Sequence, residues 1–263
     1  MKDLYSFHAD ENDLDIFYKK ADQAYRKIFK RLGLNFFVPE ASGGTFTKEF
    51  THEYQVLAEA GEDHILYCGK CQHAQNQEIT TMRLGTKCPK CSGGVIAAGK
   101  AIEIGNIFKL GVKFSEVFGL LYAGRQGIKH PVVMGSYGIG PGRLVAALVE
   151  VNNDERGIIW PEAASPFKAH IIEVKSGKSA IKKTAERLYK NLLAKGVEVL
   201  YDDRDDKTTG EKFADADLIG IPWRVVVSER SLEKKGVEVK RRSEEKGKVV
   251  SVERLVKMVM GQR

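Results

Sequence analysis

The segment GSYGIGPGRLVAALVE, residues 135–150, places four glycines and one arginine within nine positions, followed by an apolar run. Glycine frees the backbone and lets a flat ligand lie against it. Arg143 carries a planar, permanent charge suited to phosphate oxygens. Leu144, Val145, Leu148 and Val149 recur at helical spacing, which predicts a strand or turn and then a helix with Arg143 at its start, an end that favours anions. The familiar phosphate loops do not match: Arg143 occupies the third glycine position of GxGxxG, and no Gly-Lys-Ser/Thr follows. A glycine-rich turn before a core helix, with Arg143 as an ordinary surface charge, accounts for the segment equally well.

A second set of reactive side chains is the four cysteines. Cys68 and Cys71 form CGKC, and sixteen residues later Cys88 and Cys91 form CPKC. Each CxxC turn presents two sulfurs on one side, and two turns complete a tetrahedron, the pattern of a four-thiolate zinc site. Gly69, Gly93, Gly94 and Pro89 suit the turns. Disulfides are the competing reading, disfavoured in a cytoplasmic chain. Four thiolates leave no open coordination position, so the expected role of the metal is structural.

Composition limits the remaining possibilities. The chain has 263 residues, 43% hydrophobic and 29% charged, enough for one large domain or two ordinary ones. No apolar run reaches membrane-spanning length, and the polar start MKDLYSFHADEN does not read as a signal peptide. A cytoplasmic location without membrane contact is expected. The net charge of +7 is unevenly placed: residues 1–165 balance 19 Lys and Arg against 19 Asp and Glu, while residues 166–263 carry 23 against 16. That excess points to a polyanionic partner for the second half, most simply nucleic acid, although a solvated basic surface gives the same count.

The elements that must position these groups follow from periodicity. Residues 13–32 predict an amphipathic helix with Leu14, Phe17, Ala21, Ala24, Ile28, Phe29 and Leu32 inward, stopped by Gly33. Strands are expected at 34–39, 63–68, 101–108 and 130–137. PEAASPF (161–167) reads as a linker. Beyond it KAHIIEV, VEVLYD, PWRVVVS and GVEVKRR predict strands, interleaved or followed by helices in SAIKKTAERLYKNLLAKG, GEKFADADLIG and SVERLVKMVMG. That rhythm predicts an α/β sheet with packed helices.

MKDLYSFH, THEYQVLA, EIGNIFKLGVKFSE, GSYGIGPGRLVAALVE with GIIWPEAASPFKAHII, and LYDDRDDKTTGEKFADADLIGIPWRVVVS then fall into one pattern. The chain resembles prolyl-tRNA synthetases of the bacterial type, class II aminoacyl-tRNA synthetases, over essentially its whole length. The resemblance implies an α+β fold. Residues 1–165 would form the C-terminal portion of an antiparallel-sheet catalytic core with a zinc ribbon at 66–95, and residues 166–263 an α/β anticodon-binding domain. It implies activation of proline with ATP and Mg2+, transfer to proline tRNA, and a structural Zn2+ on Cys68, Cys71, Cys88 and Cys91. Arg143 would clamp ATP phosphate, and Glu103 would hold magnesium or an ATP group. Ser136 and Gly138 would line the proline and adenylate pocket. Phe7, His8, His52, Glu53 and Asn106, the last standing where the family usually has histidine, would shape the amino-acid pocket. Arg204, Lys212 and Asp202 would contact tRNA, with Asp203 as a structural cap.

The family's motif 1, the first half of motif 2 with its phosphate-binding arginine, and the inserted editing domain have no counterpart among these segments. Thr47, Lys48 and Glu49 stand in place of a glycine-rich turn. The implied chain is a fragment or half, paired with a complementing N-terminal half or forming a homodimer when full-length. The alternative is a non-catalytic tRNA-binding subunit or regulator on the same scaffold; a general zinc-ribbon nucleic-acid protein ignores residues 135–150.

Overall fold

The computed structural model describes residues 1–48, 50–174 and 179–261; Glu49 lies outside them. The chain forms two compact units, Met1–Val151 and Asn152–Arg263.

The first unit contains β1 (Lys2–His8), α1 (Glu11–Arg31), β2 (Glu40–Ser42), β3 (Phe50–Leu57), β4 (Asp63–Cys68), β5 (Ala74–Asn76), β6 (Ile96–Gly111), α2 (Lys113–Phe118), β7 (Leu121–Ala123), β8 (Lys129–Pro131), β9 (Val133–Ile139) and α3 (Pro141–Val151). Seven strands form one sheet in the order β1-β9-β6-β3-β2-β5-β4. Every pairing except β2 with β5 is antiparallel. The sixteen-residue β6 is its spine, pairing with β9, β3 and β4.

Asp10 caps α1 through the Asp13 N–H, and the helix covers one sheet face. Its buried stripe is Leu14, Tyr18, Ala21, Tyr25 and Phe29, which corrects the expected one: Ala24 and Ile28 are exposed. Two tyrosines displace them because each carries a large ring and a hydroxyl that finds a partner, Ile107 O for Tyr18 and Lys2 for Tyr25. Residues 34–39 do not form a strand; Phe37 makes an isolated bridge to Gln55.

The second unit contains β10 (Asn153–Asp154), β11 (Gly157–Ile158), β12 (Ala169–Glu173), α4 (Ser179–Ala194), β13 (Val199–Asp202), α5 (Thr209–Ile219), β14 (Trp223–Val227), α6 (Glu229–Glu233), β15 (Val237–Arg241), β16 (Lys248–Val250) and α7 (Val252–Val259). The sheet order is β13-β12-β14-β15-β16, parallel across the first three strands and antiparallel beyond. Residues of α4 and α7 close the larger core on one face; Ala216 and Phe213 of α5 pack on Ile172 and Val226 on the other. Residues 152–165, expected with the first half, pack on this unit instead. Arg242 grips Asp154 at 2.8 and 2.5 Å, and the Trp160 indole donates to Ile219 O at 3.0 Å. No described helix is long and apolar enough to cross a membrane.

Candidate active site

The face of the first sheet away from α1 carries a cleft. Register places Asp3, Gly138, Asn106 and Glu53 in one row across β1, β9, β6 and β3, with Tyr5, Ser136 and Phe108 in the next. The polar end, ≈ 360 Å³, is bounded by Glu103, Asn106, Gly138 and the start of α3 at Gly140, Pro141, Gly142 and Arg143. An apolar chamber of ≈ 600 Å³ adjoins it, sharing Met1, Asn106 and Gly138, with Phe46, Phe108, Phe114 and Met134 in its walls. Arg143 starts α3 as expected, with its side chain 57% exposed and bonded to Glu103 Oε2 at 2.9 Å. Glu103 Oε1 accepts from Asn106 Nδ2 at 2.7 Å.

The glycines of residues 135–142 have different reasons. A Cβ on Gly138 would lie 3.0 Å from Asn106 Oδ1 and block the cleft floor. One on Gly135 would meet Leu14 and Ser6 on the opposite face. Gly142 faces open space.

The structure therefore brings Arg143, Glu103, Asn106, Ser136 and Gly138 together. Phe7 shares their face but stands beyond the lining residues, largely exposed. Glu53 is half-buried and linked through the Gln55 amide, at 2.9 Å, to Asp63 at 2.7 Å. Its carboxyl is pushed up to about 7, chiefly by burial, opposed by the Gln55 amide and reinforced by Glu103 and Asp63.

His8 and His52 do not belong to this cleft, correcting their assignment to the amino-acid pocket. His8 is buried under α1 between Asp13 and Ser6, each at 2.8 Å, and ties β1 to the helix. His52 meets Tyr18 OH at 2.8 Å and lines a separate ≈ 590 Å³ cavity with Asp22, Lys19 and Lys109. The Tyr18 hydroxyl also lies 3.1 Å from Ile107 O. Asp3, Tyr5, Gln55 and Asp63 escaped sequence reasoning, although alternation along β1 and β3 marks which of them share the face of the cleft.

The four cysteine sulfurs lie within 4.8 Å of one another. Cys68 and Cys91 are 3.8 Å apart, and Cys71 and Cys88 3.7 Å. Sulfurs at ~2.3 Å from a tetrahedral zinc stand ~3.8 Å apart, so the donor set and spacing fit that ion. The two turns repeat one geometry: Gln72 and Ser92 take positive φ and donate to Cys68 O and Cys88 O, both at 2.9 Å. These residues, rather than the expected glycines, turn the chain. Gly94 is required for another reason, since a Cβ there would collide with the Cys68 sulfur.

In the second unit Arg204 is 41% exposed in its side chain and held by Asp202 and Asp215, both at 2.8 Å. Lys212 is corrected as an RNA contact. It is 2% exposed, and its ammonium donates to Glu173 O at 2.8 Å and Asp202 O at 3.3 Å. Asp202 is likewise buried, its carboxylate committed to Arg204 with Lys212 at 3.7 Å, so it positions the arginine rather than meeting solvent.

The chain belongs to the class II tRNA synthetase family: the "tRNA synthetase class II core domain (G, H, P, S and T)" matches residues 1–152. The "Anticodon binding domain" matches residues 168–262. Within that family the sequence is similar to proline–tRNA ligases. That of Methylobacterium radiotolerans is 38% identical over 92% of this chain and 60% of that protein. That of Agrobacterium fabrum is 36% identical over 99% and 64%. That of Dehalococcoides mccartyi is 28% identical over 99% and 71%. The chain thus spans about three fifths to seven tenths of these relatives. The Dehalococcoides alignment runs over 406 positions against 263 residues here, so that relative carries a stretch with no counterpart in this chain.

Proposed function

We propose that this chain supplies the nucleotide- and proline-binding floor of a proline–tRNA ligase together with its tRNA-reading module. The observation that carries the reading is the junction of a polar end, formed by Arg143, Glu103 and the start of α3, with a chamber walled by Phe46, Phe108 and Met134. The polar end suits a triphosphate, because a helix start and a guanidinium both favour anions. The flat floor at Gly138 suits a nucleoside, and the aromatic walls suit a small rigid ring.

The reaction joins the proline carboxylate to the ATP α-phosphate, breaking the α–β anhydride and releasing pyrophosphate, and then passes the acyl group to a terminal ribose hydroxyl of tRNA, releasing AMP. Arg143 would neutralise charge developing on phosphate, and Asn106 would orient Glu103. Positioning and charge, without a covalent enzyme intermediate, would supply the rate. Magnesium in nucleotide sites takes one or two carboxylates plus phosphate oxygens; Glu103 and Asp3 are the carboxylates that line the cleft. Zinc on the four cysteines would hold the ribbon together. In the second unit, Arg204 is the proposed tRNA contact.

Proline-dependent ATP–pyrophosphate exchange tests the reading. Exchange that needs proline and collapses in Arg143→Ala supports it; exchange driven equally well by other amino acids contradicts it. A second reading, a non-catalytic tRNA-binding subunit, is favoured by one observation: among the described residues lining the cleft, Arg143 carries the single cationic side chain. Binding of proline tRNA without exchange, even when a complementing N-terminal half is supplied, would select it.

A further inference from the structure

The side of the first sheet beneath α1 holds the ≈ 590 Å³ cavity that His52 lines. Small-molecule sites are typically about 300–1,000 Å³, mostly apolar, with a few convergent polar groups. This cavity has each of those properties, and none of its lining residues belongs to the Arg143 cleft. Strand alternation keeps the two apart. On β6, Ile107 and Lys109 line the cavity, while Asn106 and Phe108 line the cleft. On β3, His52 lines the cavity, and Glu53 stands beside Asn106 in the row across the cleft.

The apolar part of the lining comes from Tyr18, Phe50 and Ile107. Phe50 is 62% exposed. An aromatic ring left in water at a cavity wall gains when a ligand's apolar body covers it.

The polar part is unevenly paired. Lys109 meets Asp15 at 2.6 Å, and Arg26 meets Asp22 at 2.8 Å. Lys19 and Lys48 also line the cavity and make no ion pair among the described residues. His52 Nδ1 meets Tyr18 OH at 2.8 Å, and no described residue meets its Nε2. Burial holds the His52 pKa below the ordinary value, against the opposing pull of Glu40 and Asp22, so the ring is neutral near pH 7. What is left over is two ammonium groups beside a neutral imidazole.

These features select a ligand class. The aromatic walls call for a flat apolar body, which bare phosphate lacks. Two surplus positive charges suit a single carboxylate, whereas a triphosphate would face Asp15 and Asp22 as like charges. We propose that this cavity is a second binding site of the chain, for a small organic carboxylate with a flat apolar body. Lys19 and Lys48 hold the carboxylate, Tyr18 and Phe50 flank the ring, and His52 offers Nε2 to the same ligand.

The test titrates the full chain with benzoate, naphthoate and indoleacetate, followed by calorimetry and by backbone amide shifts. At least one of the three saturates, with shifts centred on Tyr18, His52 and Lys109. Naphthalenemethanol, the neutral counterpart of naphthoate, binds at least about tenfold more weakly. Lys19→Gln and Lys48→Gln each raise Kd about tenfold, the scale of one charge-assisted hydrogen bond. Phe50→Ala does the same through lost apolar cover. All three side chains are exposed, so melting temperatures stay at that of the unaltered chain. Magnesium-ATP leaves the carboxylate in place. Saturation by none of the three carboxylates, shifts centred instead on Phe108 and Met134, or a Kd indifferent to the three substitutions overturns the proposal. Displacement by magnesium-ATP overturns it as well, since the cavity would then be a nucleotide site.

Discussion

Arg143 Nη1 lies 2.9 Å from Glu103 Oε2 and 3.2 Å from the backbone oxygen of the same residue. The arginine that opens α3 is thus fastened to β6 at two points, and its orientation over the cleft is set before any ligand arrives. Asn106 holds the other Glu103 oxygen at 2.7 Å. Removing the guanidinium should therefore affect chemistry far more than folding. We expect Arg143→Ala to lower proline-dependent exchange about 100-fold, the scale of one lost electrostatic contact in a transition state. Arg143→Lys should recover little, because a lysine lacks the planar fork. Glu103→Gln should cost about tenfold through loss of orientation. Melting temperatures measured alongside should stay close to that of the unaltered chain.

Glu53 gives a pH signature of stability. Its pKa rises from the ordinary 4.5 to about 7 in the folded chain. A carboxyl raised in this way binds its proton more tightly folded than unfolded. Its contribution is full below pH 4.5 and is lost as pH climbs through about 7. Glu53→Gln should remove this slope, leaving the variant more stable than the parent at pH 8 by about 2 kcal/mol. Urea denaturation at pH 5 and pH 8 measures it; an unchanged slope would place the proton elsewhere.

The cysteine cluster should hold a single zinc. Its turns depend on the Gln72 and Ser92 N–H bonds, and Leu66, Ile96 and Met82 pack around the sulfurs. Chelation should expose those two amides to rapid hydrogen exchange and lower the melting temperature, since ligand binding and folding are coupled in such sites. The second unit should keep its protection. Purified chain whose four thiols titrate freely without releasing metal would contradict this.

Lys212 should behave as a core residue. Lys212→Met leaves Glu173 O and Asp202 O without their donor and Asp202 without one of its two cations. A loss of roughly 3 kcal/mol of stability in the second unit is expected. A variant folded as well as the parent but defective in tRNA binding would restore the surface role that its burial denies.

Much of this was legible in the residues. The four-cysteine cluster, the strand-to-helix junction at Arg143 and the α/β rhythm of the second unit follow from spacing alone. The pocket was misread where the two-residue period of a strand was not applied. Phe7 and His8 are neighbours on β1, and His52 and Glu53 on β3, so no single pocket takes both members of either pair. Lys212 was misread for a different reason. The sequence shows a lysine in a basic domain, but only tertiary packing shows two carbonyls and a carboxylate arranged around its ammonium.

The central claim is that the Arg143 face of the first sheet, and not the His52 face under α1, receives the nucleotide. Backbone amide shifts on titration with magnesium-ATP decide it most directly. The account predicts that they cluster at Gly138–Arg143 and Glu103–Asn106 and disappear in Arg143→Ala. Shifts centred on Tyr18, Asp22 and His52, indifferent to Arg143→Ala, would contradict it.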